Sequence, residues 1–165
     1  MINIGDSFPD ATLTESLEFD DACPLPPAKL SAAEMAKGKR IVIFGLPGAF
    51  TPTCSAKHVP GYLASLDALK KKGIDEVWCV SVNDGYVMAA WARDQKALGK
   101  IRFLGDGSAE LTKKLGLDTD IPGMGIRMKR CSLLVESGVV KQVNVEAAGK
   151  FEASTAETML SQIGA

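Results

Sequence analysis

The chain has 165 residues, 46% of them hydrophobic and 24% charged, and 19 basic against 20 acidic side chains give a formal charge of −1. This composition suits one soluble domain over residues 1–165, large enough to fold around its own core without disulfide staples or a structural metal. The basic excess that phosphate backbones attract is absent, so nucleic acid is not an expected partner.

Met1-Ile2-Asn3-Ile4-Gly5-Asp6 has no basic stretch ahead of a long apolar one, so no secretory signal is expected there. Cys23-Pro24-Leu25-Pro26-Pro27 predicts an irregular surface segment. Ser31 and Glu34 form a capping box that opens a helix to about residue 37, and Gly38 ends it. Ile41-Val42-Ile43-Phe44-Gly45-Leu46 is apolar without alternation, the pattern of a central strand covered on both faces. It is also the longest apolar run. A bilayer span needs about 20 residues, so no membrane partner is expected and the expected location is the cytoplasm.

After Pro47-Gly48, Thr51-Pro52 reads as the N-cap and first position of a helix running to about residue 72. Pro60 inside it lacks an N–H and crowds the preceding turn, which predicts a kink. A strand over 77–82, a helix over 86–98, a strand over 101–104 and a helix over 108–115 follow. A hairpin of 131–136 and 139–145 turns at Ser137-Gly138, and Ser154 with Glu157 caps a last helix. This order describes an α/β fold with a central mixed sheet flanked by helices.

Cys23, Cys54, Cys79 and Cys131 form no CxxC pair, and in a reducing compartment they read as core residues or reactive thiols. Cys54 stands apart. It falls in the first turn of the helix after the central strand, where free N–H groups and the helix dipole favour an anion. The thiolate is the nucleophilic form of cysteine. His58, the sole histidine, lies one turn further on and raises a Cys/His pair. A zinc site needs three or four ligands, so packing or hydrogen bonding is its expected role. A cysteine hydrolase built on Cys54 and His58 is a further reading, and it predicts ester or amide turnover without a reductant.

Pro47, Thr51 and Cys54, spaced as proline, three residues, threonine, two residues and cysteine, resemble the peroxiredoxins of the type II or fifth subfamily. The resemblance continues through His58-Val59-Pro60-Gly61-Tyr62, Val80-Ser81-Val82-Asn83-Asp84, Val87-Met88-Ala89-Ala90-Trp91 and Gly123-Met124-Gly125-Ile126-Arg127. It implies a thioredoxin-like fold and reduction of hydrogen peroxide and organic hydroperoxides through a sulfenic acid. No haem, flavin or metal cofactor is implied. By resemblance, Cys54 is the nucleophile, the Thr51 hydroxyl positions thiolate and peroxide, and Pro47 shields the sulfur. Arg127 would favour the thiolate and hold the peroxide oxygens through its planar fork, with Arg130 or Lys129 as the alternatives for that anion partner.

Animal members of the subfamily carry a resolving cysteine near the carboxyl terminus, whereas Phe151-Glu152-Ala153-Ser154-Thr155 has none here. Plant-type members have a cysteine where Cys79 stands, but Cys79 lies in an expected buried strand and could join Cys54 only by local unfolding. Recycling by glutathione and glutaredoxin is the expectation, with thioredoxin and a resolving Cys79 as the alternative. A redox switch or binding protein without turnover on the same scaffold is the reading outside catalysis. The subfamily also implies a homodimer, for which Phe50, Tyr86 and Met124 are candidate contacts.

Overall fold

In a computed structural model, residues 1–164 are described. The chain begins with β1 (Thr12–Glu15), a short ladder of β2 (Phe19–Asp20) and β3 (Cys23–Pro24), and β4 (Ala28–Ser31), which lies antiparallel to β1. Helix α1 (Ala32–Ala36) starts where Ser31 Oγ accepts the Glu34 N–H at 3.2 Å. Strand β5 (Arg40–Gly45) leads to a π-helical segment, Cys54–His58, then α2 (Val59–Ala64) and α3 (Leu66–Lys71). There follow β6 (Glu76–Ser81), α4 (Gly85–Asp94), β7 (Arg102–Gly105) and α5 (Glu110–Lys114). Two hairpins, β8 (Asp118–Ile121) with β9 (Gly125–Met128) and β10 (Cys131–Glu136) with β11 (Val139–Val145), precede α6 (Ala156–Gln162).

Seven strands make one mixed sheet in the order β11-β10-β5-β6-β7-β1-β4, with β5, β6 and β7 parallel and the flanking strands antiparallel. Side chains alternate across a strand, so β5 feeds two cores. Val42 and Phe44 join Cys54, Tyr62, Cys79 and Trp91 on one face, while Ile41 and Ile43 join Trp78, Val80 and Cys131 on the other. Helices cover both faces, which is why β5 reads as an unbroken apolar run.

Several elements depart from the expectation. The helix expected over 51–72 is interrupted twice. Pro60 has no N–H to give the Ala56 carbonyl, and the turn before it widens, so that the Val59 N–H reaches the Cys54 carbonyl five residues back. A second break falls at Ser65, between α2 and α3. The last helix is capped by Thr155, whose Oγ1 accepts the Thr158 N–H at 3.1 Å, because Ser154 is drawn away to Glu146. Helix α4 stops at Asp94, ahead of left-handed backbone at Lys96 and Gly99. Cys23-Pro24, expected to be irregular, pairs in the β2–β3 ladder.

Candidate active site

The site sits where β5 ends and its neighbours converge. Leu46 N–H bonds Val80 O at 3.3 Å, after which the chain turns at Pro47. Three contacts fix the turn: Asn83 Oδ1 accepts the Ala49 N–H at 3.0 Å, the Thr51 hydroxyl donates to Gly48 O at 2.7 Å, and Arg127 Nη1 donates to Pro47 O at 3.2 Å. Arg127 Nε also donates to Met124 O at 3.1 Å. A Cβ on Gly48 would lie 2.9 Å from Arg127 Nη1, so glycine allows the guanidinium its seat on the loop. The Thr51 hydroxyl does not cap the following helix. Its one hydrogen is committed to Gly48 O, which leaves only lone pairs to offer.

Cys54 is fully buried, and its Sγ accepts from Arg130 Nη2 at 3.2 Å. Arg130 immediately precedes β10, whose Cys131 is paired with Gly45 at the end of β5; the register therefore delivers Arg130 to the end of the sheet where Cys54 lies. Arg127 sits instead in the small β8–β9 hairpin, opposite Thr119. Of the residues singled out in the sequence, Pro47, Thr51 and Cys54 come together at one loop. The expected contact of Arg127 with the sulfur is not made, and Arg130 makes it.

Arg130 Nη1 lies 2.9 Å from His58 Nδ1. A guanidinium only donates, so Nδ1 accepts, the ring proton is on Nε2, and Nε2–H donates to Ser154 O at 3.1 Å. Burial and then the Arg130 charge lower the His58 pKa from 6.5 to about 3, leaving the imidazole neutral. Tyr62 also donates to Ser154 O, at 2.9 Å, and its ring stacks on Phe44 with centroids 4.2 Å apart. The Ser154 amide and hydroxyl each donate to Glu146 Oε2 at 2.7 Å, and the Glu152 amide does so at 2.9 Å. Burial acts to raise the Glu146 carboxyl, but the bonds from Ser154 and its neighbours outweigh it and hold the group below its ordinary value. A cleft of about 640 Å³ reaches the site, lined by Pro47, Thr53, Arg130, Glu146, Lys150 and Phe151 among others.

All four cysteines are free. Cys79 is wholly buried on β6 in the same apolar cluster as Cys54. Burial, with the Cys54 charge beside it, pushes its thiol well above the ordinary range, so it stays protonated. Cys131, packed on the opposite face, is pushed up to about 12 by burial. Cys23 is exposed. Among the described residues there is no cluster of three or more His, Cys, Asp or Glu side chains suited to a metal, and no helix long and apolar enough to cross a membrane.

A family model described as redoxin matches residues 3–160. Peroxiredoxin-2C of Arabidopsis thaliana is 43% identical to the chain over 164 residues, covering 98% of each. A solved structure from Burkholderia cenocepacia is 51% identical, with a TM-score of 0.94 over 100% of this chain and 99% of that chain. Reduced Prx3 from Vibrio vulnificus in complex with H2O2 is 42% identical, with a TM-score of 0.91 over 99% of this chain and 100% of that one.

Proposed function

We propose, from the premise that this chain belongs to the type II peroxiredoxins and is a thiol-dependent peroxidase, that Cys54 carries the reaction and that Arg130 is its anion partner. The contact that carries this reading is Arg130 Nη2 on Cys54 Sγ at 3.2 Å. A guanidinium donating to sulfur favours the thiolate over the thiol. The thiolate attacks one peroxide oxygen; the S–O bond forms as the O–O bond breaks, and the departing oxygen takes a proton to leave as water or an alcohol. Cys54 becomes a sulfenic acid. Thr51, with its hydrogen on Gly48 O, is free to accept the peroxide O–H and orient it. Arg130 donors stabilise the charge that gathers on the leaving oxygen. Pro47 offers a wall without an N–H, and Arg127 holds that wall through the Pro47 carbonyl.

The sulfenic acid is returned to thiol by an external reductant, glutathione with glutaredoxin. This is supported by Cys79 itself, which is wholly buried within the central strand β6 and held protonated, so that it would have to leave the sheet and ionise, whereas an external thiol needs only the segment carrying Cys54 to open. Thioredoxin with Cys79 as resolving cysteine is the second reading, favoured by the shared apolar cluster of Cys54 and Cys79. Phe50, Tyr86, Met124 and Ile126 expose large apolar surfaces, which supports a homodimer. Four free cysteines suit a reducing compartment such as the cytoplasm.

The test is peroxide consumption with glutathione alone, glutathione plus glutaredoxin, or thioredoxin. Cys54→Ser has no activity. Arg130→Lys loses about 100-fold or more in the rate of Cys54 oxidation, because an ammonium lacks the planar fork, while Arg127→Lys loses far less. The reverse order would return the role to Arg127.

A further inference from the structure

The contacts behind Arg130 close into a ring. Its guanidinium bonds His58 Nδ1, His58 Nε2–H bonds Ser154 O, Ser154 bonds the Glu146 carboxylate, and the Glu146 N–H returns to the Arg130 carbonyl at 2.9 Å. Glu146 follows β11 directly, opposite the residue that precedes β10, so one side of the ring is a continuation of the β10–β11 ladder. The other side is the loop 147–154, gathered onto a single carboxylate oxygen by three donors from Glu152 and Ser154. Glu146 Oε1, buried and without a hydrogen-bond partner among the described residues, adds nothing to that anchoring. Glu146 is nine-tenths buried, and such a carboxylate is costly unless its bonds are made.

We infer that Glu146 is a positioning residue for peroxide reduction: by fixing Ser154 it fixes the tautomer and tilt of His58, and thereby the fork that Arg130 presents to Cys54. The inference rests on the reading of Arg130 and Cys54 given above. Among the described residues, Ser154 O is the acceptor that His58 Nε2 meets, at 3.1 Å. If Ser154 moves, the Nε2 proton loses its partner, the Nδ1–H tautomer becomes competitive, and that tautomer cannot accept from Arg130. The guanidinium would then be free to swing from the sulfur. What Glu146 supplies is a correctly placed oxygen rather than a charge. Glutamine can present that oxygen to the same three donors; aspartate, one methylene shorter, keeps the charge but cannot reach them.

Because His58 is the only histidine in the chain, nitrogen-15 labelling of histidine gives one pair of ring signals in the full-length protein. Wild type shows Nε2 protonated and Nδ1 bare at neutral pH. Glu146→Asp and Glu146→Ala shift the pair toward a mixture of tautomers and slow Cys54 oxidation by hydrogen peroxide about 10- to 100-fold, the usual result of a misplaced catalytic group. Glu146→Gln keeps the tautomer and restores most of the rate. Should Glu146→Ala fail to fold, the Asp and Gln variants carry the comparison. Wild-type ring signals in Glu146→Asp overturn the inference, as does a Gln variant that behaves like Asp. A shifted tautomer with an undiminished oxidation rate overturns instead the reading of Arg130 as the anion partner.

Discussion

His58 carries a neutral imidazole at the centre of the site, and stability must answer to that. The folded ring takes a proton only near about 3, against 6.5 for an ordinary histidine. As pH falls through 6.5 the unfolded chain binds the proton first, so stability is complete above that value and declines by about 1.4 kcal/mol per pH unit below it. Between pH 6.5 and 4.5 the expected loss is about 2–3 kcal/mol. Glu76 and Glu146, both below the ordinary 4.5, add their own losses at lower pH. Urea midpoints at pH 6.5 and 4.5 should fall apart in wild type and nearly coincide in His58→Asn; midpoints that differ equally in the two proteins would refute the buried neutral ring. At this scale Cys54, Thr51 and Pro47 were legible because they lie within eight residues of one another in a single loop. The arginine was not. Two arginines three positions apart meet different elements, and only the pairing of Cys131 with Gly45 tells them apart. Glu146 left no local signal, since its partners come from a loop that follows it.

The elements that the sequence announced, β5, β6, β7, the β10–β11 hairpin and the helices α1, α4, α5 and α6, are those with a buried apolar face or a capping residue to mark them. Strands β1 and β4, with Thr-Leu-Thr-Glu and Ala-Lys-Leu-Ser, and the Asp118–Ile121 strand of the smaller hairpin carry too few apolar residues to be told from loops. Their strand character comes from pairing, not from propensity. Glycine contacts link these elements to the site. A Cβ on Gly105, at the end of β7, would lie 2.7 Å from Asn83 O and 2.8 Å from Thr14 Oγ1. Asn83 is the residue whose side chain holds Ala49, so Gly105→Ala should cost about 1–3 kcal/mol and slow peroxide reduction together. Gly61 in α2 meets nothing within 4 Å, and Gly61→Ala should raise stability by about 0.5–1 kcal/mol. Thermal melts and rates on the two variants check both; a Gly105→Ala protein with wild-type values would remove Asn83 from the account.

At the scale of the whole molecule, the thioredoxin-like fold brings the loops after β5, after β6 and between β8 and β9 to one end of the sheet. Phe50 at 56% and Tyr86 at 47% exposure stand at this end with Met124 and Ile126, a patch that a second copy would cover. Sedimentation at micromolar concentration should give about twice 17.5 kDa for wild type and the single mass for Tyr86→Glu combined with Ile126→Lys. A wild-type monomer would remove the proposed dimer.

Complete burial of the Cys54 sulfur sets a clock on turnover. A bulky thiol can reach the sulfenic acid only in molecules whose Pro60-interrupted helix has opened, and that opening is a property of the protein. With increasing reductant the recycling rate should therefore stop rising and level off at the opening frequency. The plateau should be the same for chemically different thiols, which differ only in the concentration needed to reach it. Stopped-flow traces with two unlike reductants would show it, and rates that climb linearly without limit would mean that the sulfur is reached with no such opening.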